Sequence, residues 1–382
     1  MVYDKIVLRQ FWEGSPFPEL YEDSPKTPLC ERLAKGKHKS ELILIHHLHE
    51  VSLPFILGLS EGYSIRKIIG IPYSSVDSIV DELSKNFDVI VPSSLEDITK
   101  SVKEEIISST KDIIIEEVGG YTSSIAAFLD KQPNIRGIVE DTTAGHWRWQ
   151  KKNLTRLPVM SIAYSQLKRV EDPYVSKSII DGTARFLHEN NLPPLLEDKT
   201  LILGYGNIGQ QLANHIRPLC RELKIYDNNN LKLLMALSKD FQTTKLLSDN
   251  DIVFGVTGNP KHSIKIKDIP RIDNNTLLIS GSSRKIEFDL NGFQKIADTL
   301  TKEESIWIYN FKGKRIRVAN FGEPINLRYS VIPSKILDLV YGSLVWSINE
   351  LDKNYVKAGI QNITDSCQEL IAREYLKIYN LS

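Results

Sequence analysis

The sequence predicts an α/β protein built from two doubly wound domains. Three observations carry that prediction. From Leu53 onward, short apolar runs alternate with amphipathic stretches, the rhythm of parallel strands joined by helices. A strand–turn–helix–strand unit rich in glycine occupies residues 201–227. The chain has 382 residues, enough for two domains of about 100–200 residues each.

The glycine-rich unit reads LILGYGNIGQQLANHIRPLCRELKIYD. Leu201-Ile202-Leu203 forms a strand that ends in Gly204. Gly204 permits the tight turn, Gly206 lets the backbone approach a pyrophosphate, and Gly209 lets helix and strand pack closely. Asn207 and Ile208 open the helix, whose free N–H groups and dipole favour phosphate. A second strand closes on Asp227, where a carboxylate can accept both ribose hydroxyls of NAD and would repel the extra phosphate of NADP. The expected cofactor is therefore NAD, held by a Rossmann domain.

The remaining elements follow in order. Residues 1–40 contain Pro16, Pro18, Pro25 and Pro28 and read as an irregular arm. Strands are expected at Glu41–His47, Ile68–Ile71, Asp88–Val91, Asp112–Ile115 and Ile135–Val139, with helices at Val76–Asn86, Ile98–Ser108 and Ser123–Asp130. Asp172–Asn190 is a long helix, and Pro193-Pro194 stops the chain before Leu201. After Asp227 come a helix at Lys232–Lys239 and strands at Asp251–Phe254, Thr276–Ile279, Ile306–Tyr309 and Arg315–Val318. Helices are expected at Ser334–Glu350 and through the tail, Lys357–Tyr379. The expected division is a substrate domain over 1–180, completed by 331–365, a dinucleotide domain over 183–328, and a tail over 366–382.

Composition narrows the function. Lys+Arg and Asp+Glu are both 48, so neither nucleic acid nor an anionic membrane is an expected partner. Three scattered cysteines, Cys30, Cys220 and Cys367, suit a reduced cytoplasmic compartment and no structural zinc. His46, His47 and His49 cluster at a strand end but lack a fourth ligand, so no metal is expected, and His49 reads as a pocket residue. Ligands collect beyond the carboxyl ends of parallel strands. There the chain carries EEVGGYT after Ile115, with Glu117, and EDTTAGHW after Val139, with Asp141, Thr142 and Thr143. Ordinary strand-end capping is the other reading of those residues.

Several separate stretches, in order from about residue 40 to 350, resemble S-adenosylhomocysteine hydrolases. GYGNIG with Asp227 fits that family's glycine turn and ribose acid. VEDTTAGHWRW resembles its E-E-T-T-T-G-V-H, SIIDGTARF its S-L-x-D-G-I-x-R, and EEVGGYT its D-D-G-G-D-x-T. HLHEVS resembles C-L-H-M-T, VTGNP its T-T-G-C/N, IEFDL its N-x-E-I-D-x, and Ile325-Asn326-Leu327 its V-N-L. The resemblance implies that Thr142 and Thr143 touch the nicotinamide ribose. It implies that Thr257, Gly258, Asn259 and Asn326 line the cofactor cleft, and that His49 and Asp141 face a nucleoside-like substrate. It also implies transient oxidation of a substrate hydroxyl by bound NAD, and a homo-oligomer, a dimer or tetramer. The apolar helix Ser334–Glu350 supports the oligomer on its own account.

The chain departs from the family where the hydroxyl is held. The family's lysine and aspartate are replaced, in ungapped register, by Gln166 and Val170. Lys168 and Glu171 lie close by and are the candidate replacements for proton chemistry. The second acid of D-D-G-G is Val118, which leaves Glu117 as the nearer one. Gly281-Ser282-Ser283 and VIPS (331–334) lack the family's histidines. Tyr375, Lys377 and Tyr379 could imitate the family's tail, which reaches a neighbouring subunit's cofactor, but their spacing differs. The expected activity is oxidation of a nucleoside or related polyol with poor turnover of adenosylhomocysteine. A non-catalytic NAD-binding protein and a net dehydrogenase are the alternatives.

Overall fold

The computed structural model describes residues 27–381 apart from 260, 283–284, 304, 329–331 and 354, so Ser283 and Val331 lie outside the described residues. The chain divides into two compact units, Met1–Glu171 with Ile332–Ser382, and Asp172–Val331. The helix Asp172–Glu189 thus belongs wholly to the second unit, where it packs on the helix Asn207–Ile216.

The first unit holds β1 (Glu41–Leu48), β2 (Ser64–Ser75), β3 (Val89–Ile90), β4 (Ile113–Glu117), β5 (Ile135–Glu140) and β6 (Pro158–Ser161). The second holds β7 (Lys199–Leu203), β8 (Glu222–Tyr226), β9 (Gln242–Thr243), β10 (Ile252–Gly255), β11 (Leu277–Ser280), β12 (Thr299–Lys302), β13 (Ile306–Phe311) and β14 (Lys314–Ala319). The chain then returns to the first unit with β15 (Gly359–Asn362).

The first sheet runs β15-β6-β5-β4-β1-β2-β3 with every pair parallel. Its strands are near-continuous apolar runs, such as Leu42 to Ile45 and Ile113 to Ile115, because helices cover both faces. The second sheet runs β12-β13-β14-β11-β10-β7-β8-β9 and is parallel from β14 to β9. It ends in an antiparallel ladder, β12-β13-β14. In each sheet the order reverses beside the first strand, between β1 and β4 and between β7 and β10. Those are the switch points at which doubly wound sheets hold ligands.

Three expectations need correction. Part of the supposedly irregular N-terminal arm, Pro28–Ala34, is a helix, with proline tolerated in its first turn. Part of the supposedly helical tail is β15, added parallel to β6, before the helix Asp365–Ile378. The helix Ser334–Lys353 does not leave an apolar face for a second copy. Leu337, Val340, Leu344, Val345 and Ile348 are buried in the core of its own unit. The argument for an oligomer from that helix therefore falls.

That helix also carries the acids that fix the N-terminal segment. Asp338 accepts hydrogen bonds from Leu29 N and Cys30 N, both at 2.9 Å, and from Tyr379 Oη at 2.8 Å. It caps the helix Pro28–Ala34, whose own N-cap residue makes no side-chain cap bond. Asp352 accepts from Ser40 N at 2.9 Å and pairs with His38. Asp338→Ala should cost about 2 kcal/mol, the range of a lost charge-assisted bond that leaves buried donors unpaired. Differential scanning fluorimetry should show a melting temperature lower by several degrees, and an unchanged melt would refute the capping role.

Candidate functional site

Successive residues of a strand point to opposite faces, so the two acids that end β4 separate. Glu117 stands in register with Ile45 and Glu140, whereas Glu116 stands with Leu44 and Val139.

On the Glu117 face the acids are structural. Glu117 Oε1 accepts from Thr122 Oγ1 at 2.8 Å and Trp149 Nε1 at 2.7 Å, and Oε2 accepts from Thr122 N at 2.9 Å. Glu140 Oε1 accepts from Gly119 N at 3.0 Å, Thr142 N at 2.6 Å and Thr142 Oγ1 at 2.7 Å. A Cβ on Gly145 would lie 2.1 Å from the Glu140 carboxyl, and one on Gly120 would lie 2.7 Å from the Gly145 Cα. The glycines of EEVGG and DTTAG are thus required by close approach. Glu117 is wholly buried, and both its carboxyl oxygens are engaged in these bonds. Thr142 is spent as well, since its hydroxyl donates to Glu140 and caps the helix Thr143–Gln150 through Gly145 N. Thr143 opens that helix.

Burial raises the Glu117 pKa against its hydrogen bonds. Burial and then the Glu117 charge push Glu140 up to about 8. Ionising both carboxyls at once is disfavoured, which holds Glu140 above the ordinary carboxylate range. A folded-state pKa above the unfolded one contributes stability that is complete below the unfolded value and lost as pH rises through the folded value. For Glu140 the loss should therefore run from about pH 4.5 to about pH 8. Glu140→Gln keeps an acceptor on one side and places a donor on the other, as the protonated acid does. Its melting temperature should fall less than the parent's between pH 5 and pH 8.5, and parallel pH profiles would refute the raised Glu140 pKa.

The opposite face gathers the groups able to act on a ligand. Lys168 Nζ lies 2.6 Å from Asp141 Oδ1 and 2.8 Å from Glu171 Oε1, and these side chains are 17%, 14% and 12% exposed. Ser165 caps the short helix Gln166–Arg169 and so aims Lys168, while Gln166 and Val170 are exposed. Burial alone would lower the Lys168 pKa, but Asp141 and Glu171 outweigh it and raise it above the ordinary lysine value. Asp141 and Glu171 thus favour the ammonium form of Lys168, the direction opposite to the one a proton-accepting role needs. Glu171 is raised by burial, opposed by Lys168.

His49 is neutral, its pKa lowered to about 4 by burial and then by His46, and its Nδ1 is buried with no hydrogen-bond partner among the described residues. His46 and Tyr341, which sequence reasoning did not assign, feel the same charges. Tyr341 Oη donates to Val51 O at 2.9 Å. His47 Nδ1 is bonded to Ser74 Oγ. Among the described residues no group of three His, Cys, Asp or Glu could hold a metal ion.

In the second unit the glycine turn joins β7 to the helix Asn207–Ile216. Gly204 has φ +107°, and a Cβ on Gly209 would fall 2.0 Å from the Gly204 carbonyl oxygen. A Cβ on Gly206 would meet only Lys232 Nζ, at 3.8 Å, so the backbone there is open to a ligand. Asn207 is exposed and Ile208 half-buried beside it. Asp227 Oδ2 accepts from Tyr205 N at 2.7 Å and Oδ1 from Asn229 N at 2.8 Å, which sets the acid beside the turn.

Thr257 is held by Glu287. Its N–H and that of Gly258 both donate to Glu287 Oε1 at 2.8 Å, and its hydroxyl bonds the same carboxylate. Asn259 Oδ1 accepts from Lys261 N at 2.9 Å. Asn326 Oδ1 is buried with no partner among the described residues, an acceptor waiting for an amide or hydroxyl. The open turn and the acid beside it fit a dinucleotide.

In the tail, Tyr375 Oη donates to Lys335 O and Tyr379 Oη to Asp338, so both hydroxyls are engaged within their own unit. No helix among the described residues is long and apolar enough to cross a membrane.

No protein-family model matches the chain. Among curated proteins it is 23% identical over 289 residues to an adenosylhomocysteinase of Sulfurisphaera tokodaii, covering 71% of this chain and 67% of that one. It is 22% identical to the adenosylhomocysteinase of Saccharolobus solfataricus, over 64% and 60% of the two chains. It is 21% identical to an S-inosyl-L-homocysteine hydrolase of Methanopyrus kandleri, over 70% and 66%. The chain thus spans about two thirds of the length of these relatives or less. Among solved structures, dipicolinate synthase A chain from Bacillus subtilis aligns with TM-score 0.42 and 14% identity, covering 81% of this chain and 97% of that one. A phosphoglycerate oxidoreductase from Vibrio cholerae aligns with TM-score 0.48 and 11% identity, over 82% and 98%. At such scores the fold rests on the sheet topology itself.

Proposed function

The chain is a divergent relative of the adenosylhomocysteinases, and from that premise we propose that it binds NAD in the second unit and oxidises a hydroxyl of a nucleoside or related polyol held by the first. The observation that carries the reading is Lys168 pinned between Asp141 and Glu171 on one sheet face, at the carboxyl ends of the strands. When bound, NAD supplies the acceptor for the hydride that leaves the carbinol carbon. Two of the three ammonium donors of Lys168 are spent on the carboxylates, and the third remains for the substrate oxygen. An ammonium there stabilises the alkoxide as it forms. The hydroxyl proton goes to a carboxylate, and Glu171, whose pKa burial raises, is the better acceptor. Neutral His49 lines the same pocket as a hydrogen-bonding group.

Val118 stands where the related family has a second acid, so loss of the thiol that follows oxidation in that family is expected to be poor. Protein loaded with NAD and mixed with adenosine should develop the absorbance of bound NADH, with little homocysteine released from adenosylhomocysteine. Because Glu171 must be ionised to accept the proton, the rate should rise with pH through a value above that of an ordinary carboxylate. Lys168→Met should lower the oxidation rate by roughly 10²–10⁴-fold. Failure of adenosine and of other nucleosides and polyols to generate NADH would favour a non-catalytic NAD-binding role. Fast homocysteine release would return the chain to the ordinary activity of its relatives.

A further inference from the structure

The second unit carries a cation to which no role has yet been given. Lys232 is the third residue of the helix Asn230–Leu237, and its side chain reaches back to the strand ends. Its Nζ lies 3.6 Å from Asp227 Oδ2, at the end of β8, and a Cβ on Gly206 would lie 3.8 Å from the same atom. The ammonium thus stands between the ribose acid and the turn position that is open to a phosphate. The pair with Asp227 is longer than a hydrogen bond, so it does not consume the ammonium's donors. A lysine in the first turn of its helix opposes the helix dipole, and that turn carries no acid to offset it. A second helix N-terminus, that of Asn207–Ile216, lies at Gly206, which makes no side-chain cap bond. From residue 228 to residue 239 the chain has no acid. Two positive helix ends and an ammonium are therefore set against the single carboxylate of Asp227.

We propose that Lys232 sets the choice of cofactor by receiving the 2′-phosphate of NADP, so that the site accepts the phosphorylated dinucleotide as well as NAD. The inference rests on the reading of the second unit as a dinucleotide site. An adenosine ribose held by a carboxylate at this strand end presents its 2′ substituent to that carboxylate. With Asp227 alone, a 2′-phosphate would meet a like charge and NADP would be refused. An ammonium 3.6 Å from the same oxygen changes that balance. At such range its attraction for a phosphate is comparable with the repulsion from the acid, and it also donates charge-assisted hydrogen bonds. The Lys232 side chain is 40% exposed, and its flexible stem lets the ammonium move from the acid to a phosphate without disturbing the backbone. NAD offers hydroxyls to Asp227 and needs no cation there. The pyrophosphate, on the Gly206 side, is the other phosphate within reach of the lysine, and it is common to both cofactors. Only the 2′-phosphate makes Lys232 matter for one cofactor and not the other.

The experiment measures binding of NAD and of NADP by calorimetry to protein stripped of nucleotide, for the parent, Lys232→Met and Lys232→Arg. The parent should bind the two cofactors within about tenfold of each other. Lys232→Met, which keeps the length of the stem and loses the charge, should weaken NADP by roughly tenfold to a hundredfold and NAD by less than about threefold. Retained NAD binding is the control for folding of each variant. Lys232→Arg should hold NADP within about threefold of the parent. NADP affinity should also fall more steeply than NAD affinity as salt is raised, because one more charge pair forms. A parent that prefers NAD by more than about tenfold would overturn the proposal, as would an NADP affinity untouched by Lys232→Met. Equal losses of NAD and NADP in Lys232→Met would assign the lysine to the pyrophosphate and overturn it as well. In each of these cases the parent still binds NAD, so the dinucleotide reading stands while this inference falls. A parent that binds neither cofactor overturns both.

Discussion

Two consecutive residues of a parallel strand cannot share a face, and that constraint divides the acids of the first unit into two sets with different physics. Glu117 and Glu140 fall on the side where backbone N–H groups, Thr122 and Trp149 surround them. Their bonds shape the EEVGG and DTTAG turns. Glu116 and Asp141 fall on the side where Lys168, Glu171, His46 and Tyr341 converge. The first set builds the turns from which the second set projects. A network of that kind must be rigid to be useful, and the glycine-to-glycine approach of Gly120 and Gly145 leaves it little slack.

The second set is held together by charge. Lys168 is mostly buried, and an unpaired ammonium there would be strongly disfavoured. Asp141 and Glu171 compensate it, and the cost of desolvating all three is offset only while they stay together. The triad is thus preorganised before any ligand arrives, with one lysine donor left over. A neutral His49 and the orphan oxygens of Glu116 add hydrogen-bonding capacity without adding charge.

Much of this architecture was legible in the sequence. Period and punctuation gave the helix–strand alternation, and the glycine spacing marked the turn at Gly204 with Asp227 beyond it. The elements that escaped were short or lay at edges. β6, β9, β12 and β15 have two to four residues each, too few for a periodic signal. In the site, the sequence shows residue types but not their hydrogen-bond partners. Glu117 and Thr257 looked like ligand groups and are spent on their neighbours, Thr122 and Glu287. Glu116 was adjacent to a residue that had been singled out, and strand alternation alone would have placed it on the other face. Lys168 and Glu171 entered the sequence reading only as neighbours of the positions where the family resemblance expects a lysine and an acid. Only the Ser165 cap and the exposure of Gln166 and Val170 decide which residues turn inward.

The second unit follows the same rule with a different distribution of charge. Glu287 is wholly buried and takes the donors of Thr257, Gly258 and Ser282, so it binds the end of β10 to the end of β11. Asp227 takes the Tyr205 and Asn229 amides and joins the end of β8 to the glycine turn after β7. Four strand ends are therefore fixed by two carboxylates, one spent inside the fold and one with lone pairs to spare. A carboxylate accepting two backbone bonds still has room for a ribose diol. Lys232, 3.6 Å from the same oxygen as the Tyr205 amide, tempers its charge without occupying both oxygens. In both units, then, acids at the strand ends take the backbone and hydroxyl donors of the turns that follow, Glu117 and Glu140 in the first and Asp227 and Glu287 in the second.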